Sequence, residues 1–513
     1  MIKADYISAA GVDVRPICDE PVHPLVLLVD PTQVWGESAH GLMSAVLYRH
    51  IIGDGTEHVM SIAPANPLEQ FRWTPQPAAE QLLKQIIERF LERCPEASEL
   101  RNRLHDEAGI RFFDVVDHII VDEAEVTPQR LIECGFEGSL MLGGSYVHPG
   151  GIFPPIILSD RGSTVVMIKV ESIAAFAAAH GGVIDTVGWP GDRVRTAMLS
   201  VNLGVVERHG YRGPTTQWPS IEDRLVRSVL ENADAFRFRR RWFEDDTDGF
   251  SHAQNLIDAA IGKLGVDYTC DLFFAAERDY WQRRNDAAQF QKARQDRLGL
   301  GWANHDHHTY RSSRRHFSRL IGVFERLGFK CRERFYAGAD AGWGAQILEQ
   351  SETGVIIFAD VDLSPQELSN DFAHDPLPPR QQLGTVGLWC ALHGEAFLEA
   401  GMHHLECQFD FEALKQQMEQ SGGIAVMKPF TDFPHLRQAF TEGQRWPVAE
   451  GRIAKLLDAG QITAEQAQQF RTQGAIGSHL ENLERNQGFK GFNQTGVSDI
   501  IAKTDPRRHL KAS

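Results

Sequence analysis

Apolar positions in the second half of the chain recur in a fixed order. Over residues 314–327, Phe317, Leu320, Ile321, Phe324 and Leu327 fall at i, i+3, i+4, i+7 and i+10, one stripe of an amphipathic helix, and Gly328 follows as its stop. Short segments with strand character flank it, at 307–311 before and at 330–336, 344–348 and 354–361 after. The pattern predicts a βαβββ unit. A similar opening returns later, with a strand over 403–409, a helix over 411–419, a Gly422-Gly423 break, a strand over 424–427 and a final strand over 496–501. Between those last two strands, residues 449–485 read as a charged helical insertion.

The first part of the chain alternates differently. An apolar run at 24–30, a helical period over 78–104, strands at 110–122, 153–158 and 164–170, and an Ala-rich helix at 172–180 predict a mixed α/β domain over residues 1–220. Its histidines, among them His118, His148 and His209, have no spacing that forces them together. The domain therefore reads as a cap of unknown role, with a degenerate copy of the repeated unit as the alternative. A Gly/Pro-rich stretch at 210–219 separates it from a helical connecting segment over 221–300, and the repeated units fill 301–513. The expected class is α+β, with paired βαβββ modules forming an incomplete barrel in the C-terminal half.

Composition narrows the partners. With 52 Lys and Arg against 69 Asp and Glu, the net charge of −17 disfavours nucleic acid and anionic membrane surfaces. Seven scattered cysteines, never spaced Cys-x-x-Cys, fit a reducing compartment. The first residues lack an apolar signal core and no apolar run approaches the roughly 18 residues that span a bilayer, so a cytoplasmic location is expected.

Candidate chemistry sits at the start of each repeated unit. One opens on Asn304-His305-Asp306-His307-His308-Thr309-Tyr310-Arg311, the other on Gly401-Met402-His403-His404-Leu405-Glu406. Strand alternation predicts that His305, His307, Thr309 and Arg311 share one face, and that Glu406 shares a face with His404. An imidazole from each unit and one carboxylate make a metal site with open positions for substrate, unlike a closed structural site. Arg311 then serves as a bidentate clamp for a substrate carboxylate, the alternative being an ion pair with a residue such as Glu333. His305, His308 and His403 read as supporting residues.

Two βαβββ units with a histidine on each first strand resemble the vicinal oxygen chelate superfamily. Within it, His307 followed four residues later by Arg311, together with the His404-Leu405 pair, is similar to the 2-oxoadipate dioxygenase/decarboxylase (hydroxyglutarate synthase) family, over about residues 305–506. The resemblance implies metal ligands His307, His404 and, on the last strand, Asp499, with Glu406 as a rival carboxylate. It implies Fe(2+), with Mn(2+), Co(2+) or Zn(2+) as alternatives, and a reaction of a small 2-oxo acid with O2. A metal-dependent isomerase, lyase or hydrolase, or a non-catalytic metabolite-binding protein, are the competing expectations.

Overall fold

The computed structural model describes residues 73–139, 144–181, 185–212, 223–493 and 505–507. The expected strands at 24–30 and 496–501 lie outside the described residues, as does Asp499.

Two large sheets organise the chain. The first runs β1 (Val116–Asp122), a helix Pro128–Glu133, β2 (Glu137–Ser139), β3 (Ser145–Val147) and β4 (Ile156–Ser159). It continues with β5 (Val165–Lys169), a helix Ile173–His180, β6 (Asp185–Val187), β7 (Val194–Met198) and β8 (Leu203–Arg208). The spatial order is β2-β3-β4-β1-β5-β8-β7-β6, so two βαβββ units join through their first strands.

The second sheet repeats this plan. β9 (His305–Arg311), a helix Phe317–Arg326, β10 (Lys330–Tyr336), β11 (Trp343–Glu349) and β12 (Ile356–Asp362) form one module. β13 (His404–Gln408), a helix Phe411–Ser421, β14 (Thr431–Phe433), β15 (Leu436–Phe440), β16 (Gln444–Trp446) and β17 (Ala475–Arg485) form the next. The order β10-β11-β12-β9-β13-β17-β15-β14, with β16 beside β17, matches the first sheet strand for strand. This is the paired-module, half-barrel architecture of the vicinal oxygen chelate fold, and the N-terminal sheet has its topology too.

Local sequence explains the pieces. In the helix Phe317–Arg326 the side chains of Phe317, Leu320, Ile321 and Phe324 are fully buried, each contributing roughly 1.5–3 kcal/mol by leaving water. Gly328, at φ +87°, ends the helix in a conformation that costs a residue with a Cβ. The helix Phe411–Ser421 starts on Asp410, whose carboxylate accepts from the Ala413 amide. Helices Asp223–Arg237, Asp246–Leu264, Val266–Gln282 and Asp286–Arg297 fill the stretch between the sheets' sequences. No described helix is long and apolar enough to cross a membrane.

The expected helical insertion over 449–485 ends early. Helices Glu450–Asp458 and Ala464–Gln473 bury Ile453, Leu456 and Phe470 against Leu388 and Leu392 of helix Thr385–His393. Residues 475–485 are strand β17. Gly474, with the ring of Trp446 packed over Gly477 just beyond it, breaks the helix and lets the chain enter the sheet between β13 and β15.

Candidate metal centre

The site forms where β9, β13 and β17 lie side by side. β13 pairs antiparallel with β9, placing Glu406 opposite His307, and parallel with β17, placing His404 beside His479 and Glu406 beside Glu481. His307 Nε2 lies 3.0 Å from Glu406 Oε1, and His404 Nε2 lies 2.5 Å from the same oxygen and 3.9 Å from Glu481 Oε2. Candidate ligand atoms of His307, Glu406 and Glu481 fall within 4.8 Å of one another; among three such groupings in the described residues, this is the one whose members are all buried.

Hydrogen bonds aim these groups. Asp306 takes the Nδ1 side of His307 at 2.9 Å, leaving Nε2 for the cluster, and Arg485 grips Asp306 at 2.8 and 2.9 Å. Gln438 donates to Glu481 Oε1 at 2.8 Å, and Thr309 donates to Glu406 Oε1 at 3.0 Å. Glu406 Oε2 and His404 Nδ1 are buried without a hydrogen-bond partner.

The electrostatics are those of a cation site. Burial, with Glu481 beside it, holds the Glu406 carboxyl well above its usual range, and burial pushes Glu481 up to about 7. Burial pushes His307 down to about 4 despite Asp306, and holds His404 well below the usual imidazole range. Two carboxylates and two imidazoles thus share a dry space in which a divalent ion would balance the charge. Buried charges are otherwise paired with side chains of opposite sign. The donor set fits a metal.

Strand alternation holds for His307, Thr309 and Arg311, which line one small cavity of about 70 Å³ with His404, Glu406 and Glu481. His305 departs from it. β9 carries one extra residue against β13 at Asp306, and this bulge turns His305 into a different cavity. His308 lies on the opposite face, buried beside Arg278 at 3.4 Å, and His403 is tied to the Gly477 carbonyl at 2.9 Å. Glu333 is taken by Arg332; the carboxylate near Arg311 is Asp360, with Arg311 Nε 3.8 Å from its Oδ2. Burial pushes Asp360 up to about 8, and Arg311 Nε has no hydrogen-bond partner.

Glu481 is the residue that sequence reasoning passed over, since 475–485 was read as helix. A signal existed: His404-Leu405-Glu406 recurs as His479-Leu480-Glu481, and the two tripeptides lie in register on adjacent parallel strands.

The first half-barrel shows the same frame and keeps a histidine, His118, at the place of His307, but not the other three donors. β1 carries an extra residue at Asp117 against β5, as β9 does at Asp306. Asp117 is gripped by Arg208 at 2.8 and 2.6 Å and contacts His118 Nδ1 at 2.6 Å, repeating the Asp306, Arg485 and His307 arrangement. Following the pairing outward, Glu406, Glu481 and His404 correspond to Met167, Gly204 and Val165. A side chain at Gly204 would meet the sulfurs of Met167 and Met198, so this pocket is filled with hydrocarbon and thioether.

No protein-family model matches the chain, and no curated protein is a significant match. Solved structures with a similar arrangement include a putative glyoxalase superfamily protein from Ralstonia eutropha, at 11% identity over 53% of this chain and 100% of that one, with a TM-score of 0.29. A mutant of 4-hydroxymandelate synthase from Streptomyces coelicolor matches at 11% identity over 77% and 99%, with a TM-score of 0.23. An uncharacterized Shigella flexneri protein that includes domain DUF1338 matches at 11% identity over 52% and 73%, with a TM-score of 0.22. At these scores the fold assignment stands on the strand order and register described above.

Proposed function

We propose that the chain is a metal-dependent oxygenase acting on a small 2-oxo acid. The observation that supports this best is the convergence of the His307 and His404 Nε2 atoms with buried carboxylates, beside an arginine with an unused donor. His307, His404 and Glu481 are the proposed ligands; Glu481 stands on the last strand of the second module, where the resemblance puts the carboxylate. Asp499, the carboxylate suggested by sequence, lies outside the described residues. Fe(2+) suits two imidazoles and a carboxylate with open positions, and Mn(2+), Co(2+) and Zn(2+) share that donor preference. When bound, ferrous iron supplies the redox chemistry with dioxygen.

The side chains have separable tasks. Arg311 holds the substrate carboxylate: Asp360, at about 8, is largely protonated near neutral pH and leaves the guanidinium uncompensated. Phe335, Phe358, Phe430, Phe440 and Phe492 wall the cavity and exclude water, strengthening that ion pair. Asp306 fixes the His307 tautomer. Glu406 holds a proton in the metal-free protein.

That last carboxylate favours a second reading, a Lewis-acid isomerase or lyase in which Glu406 moves a proton to and from substrate carbon. Oxygen uptake by the iron-loaded protein separates the two. Uptake that needs both Fe(2+) and a 2-oxo acid supports the oxygenase, whereas undiminished turnover without oxygen eliminates it. Protein that retains no metal after reconstitution would point to a metabolite-binding role.

A further inference from the structure

A second and much larger cavity, about 740 Å³, is lined by both sheets on the far side of Asp306 from the metal centre. That volume falls within the roughly 300–1,000 Å³ typical of small-molecule sites. The two matching bulges face it: Asp117 with Arg208 from the first half-barrel, Asp306 with Arg485 from the second.

Four acids of this cavity have close partners. Asp117 is held by Arg208, Asp306 by Arg485 and by Gln408 at 2.9 Å, Asp114 by Arg111 at 2.7 Å, and Asp271 by His209 at 2.9 Å. Three of its cations keep an unused donor. Lys169, at the position of Gln408 in the second half-barrel, has no hydrogen bond or ion pair among the described residues. Arg278, with 8% of its side chain exposed, leaves Nε without a hydrogen bond, its separation from Glu171 being 3.7 Å. Arg208 Nη1 is also buried and unpartnered. The nearest remaining carboxylate, Glu171, lies 3.7 Å from both Arg278 and Lys292, and the unused cationic donors define what the space accepts.

We propose that this cavity binds a small organic anion, a carboxylate or a phosphate ester, with Lys169 and Arg278 as its principal contacts. The inference does not depend on the reading of the metal centre, and Arg311 belongs to the other cavity.

Calorimetric titration of the metal-loaded full chain with inorganic phosphate and, separately, succinate tests this, alongside thermal melts. At least one probe is expected to bind saturably and raise the melting temperature, and which one does so tells phosphate from carboxylate. Lys169→Met should weaken that binding at least about tenfold while melting no lower than the parent, because a desolvated amine is replaced by hydrocarbon of similar length. Lys169→Gln supplies the same comparison should the first variant fail to fold. Arg311→Met, which removes the carboxylate clamp of the other cavity, should leave the Lys169-dependent binding unchanged. Absence of saturable binding by both probes, parental affinity in the Lys169 variants, or loss of binding in Arg311→Met alone would overturn the proposal.

Discussion

At the scale of single residues, the centre depends on who holds whom. His307 presents Nε2 because Asp306 occupies its Nδ1 side, and Asp306 stays ionised because, against the penalty of burial, Arg485 and His307 hold it well below the usual carboxylate range. Asp306→Asn should therefore weaken metal retention about 10- to 100-fold without unfolding the chain, as measured by metal content after dialysis against a graded chelator. His307→Ala and His404→Ala are expected to abolish both retention and turnover. Glu481→Gln should lose the metal, while Glu406→Gln should keep more of it; the reverse order would reassign the third ligand. Arg311→Met is expected to raise KM with metal content unchanged.

Among the elements, β17 decides the site, since it alone brings Glu481 next to β13. Its entry into the sheet needs Gly477, where a Cβ would lie 2.0 Å from the Trp446 ring. Gly477 also gives its carbonyl to the Trp389 indole at 3.0 Å and to His403 at 2.9 Å. Gly477→Ala should cost about 1–3 kcal/mol in urea unfolding and displace Trp446, visible as a change in tryptophan emission. The bulges at Asp117 and Asp306 are the other decisive local feature. Alternation legible in the sequence put His305 with His307, and one extra residue sent His305 to the opposite cavity.

For the molecule as a whole, ties between the first sheet and the helical segment set how stability follows pH. His209, just past β8, contacts Asp271 of helix Val266–Gln282 at 2.9 Å and Glu207 at 3.0 Å. Against burial, these carboxylates hold His209 up to about 10, above an ordinary value near 6.5. The tie thus contributes fully below about 6.5 and is lost as pH rises through about 10. His209→Gln should lower stability at pH 6 by several-fold in the unfolding constant at least, and flatten the decline between pH 7 and 10 in chemical denaturation. A variant with the parental slope would show the tie to be idle.

Periodicity alone specified the second half-barrel's first module, because a helix stripe and flanking strands are encoded by neighbouring residues. The histidine-rich strand openings and the family resemblance marked His307 and His404, strand alternation added Glu406 and Arg311, and the fold collects all four around one small cavity. Three things needed the tertiary structure. β17 is specified by a sheet that accepts it between β13 and β15, and its own sequence carries charges that read as helix. The N-terminal half-barrel hides behind apolar replacements at Met167, Gly204 and Val165, which keep the frame and drop the donors. The large cavity arises only where the two sheets meet, since residues as distant as Lys169, Arg278 and Arg485 converge through packing that no local pattern records.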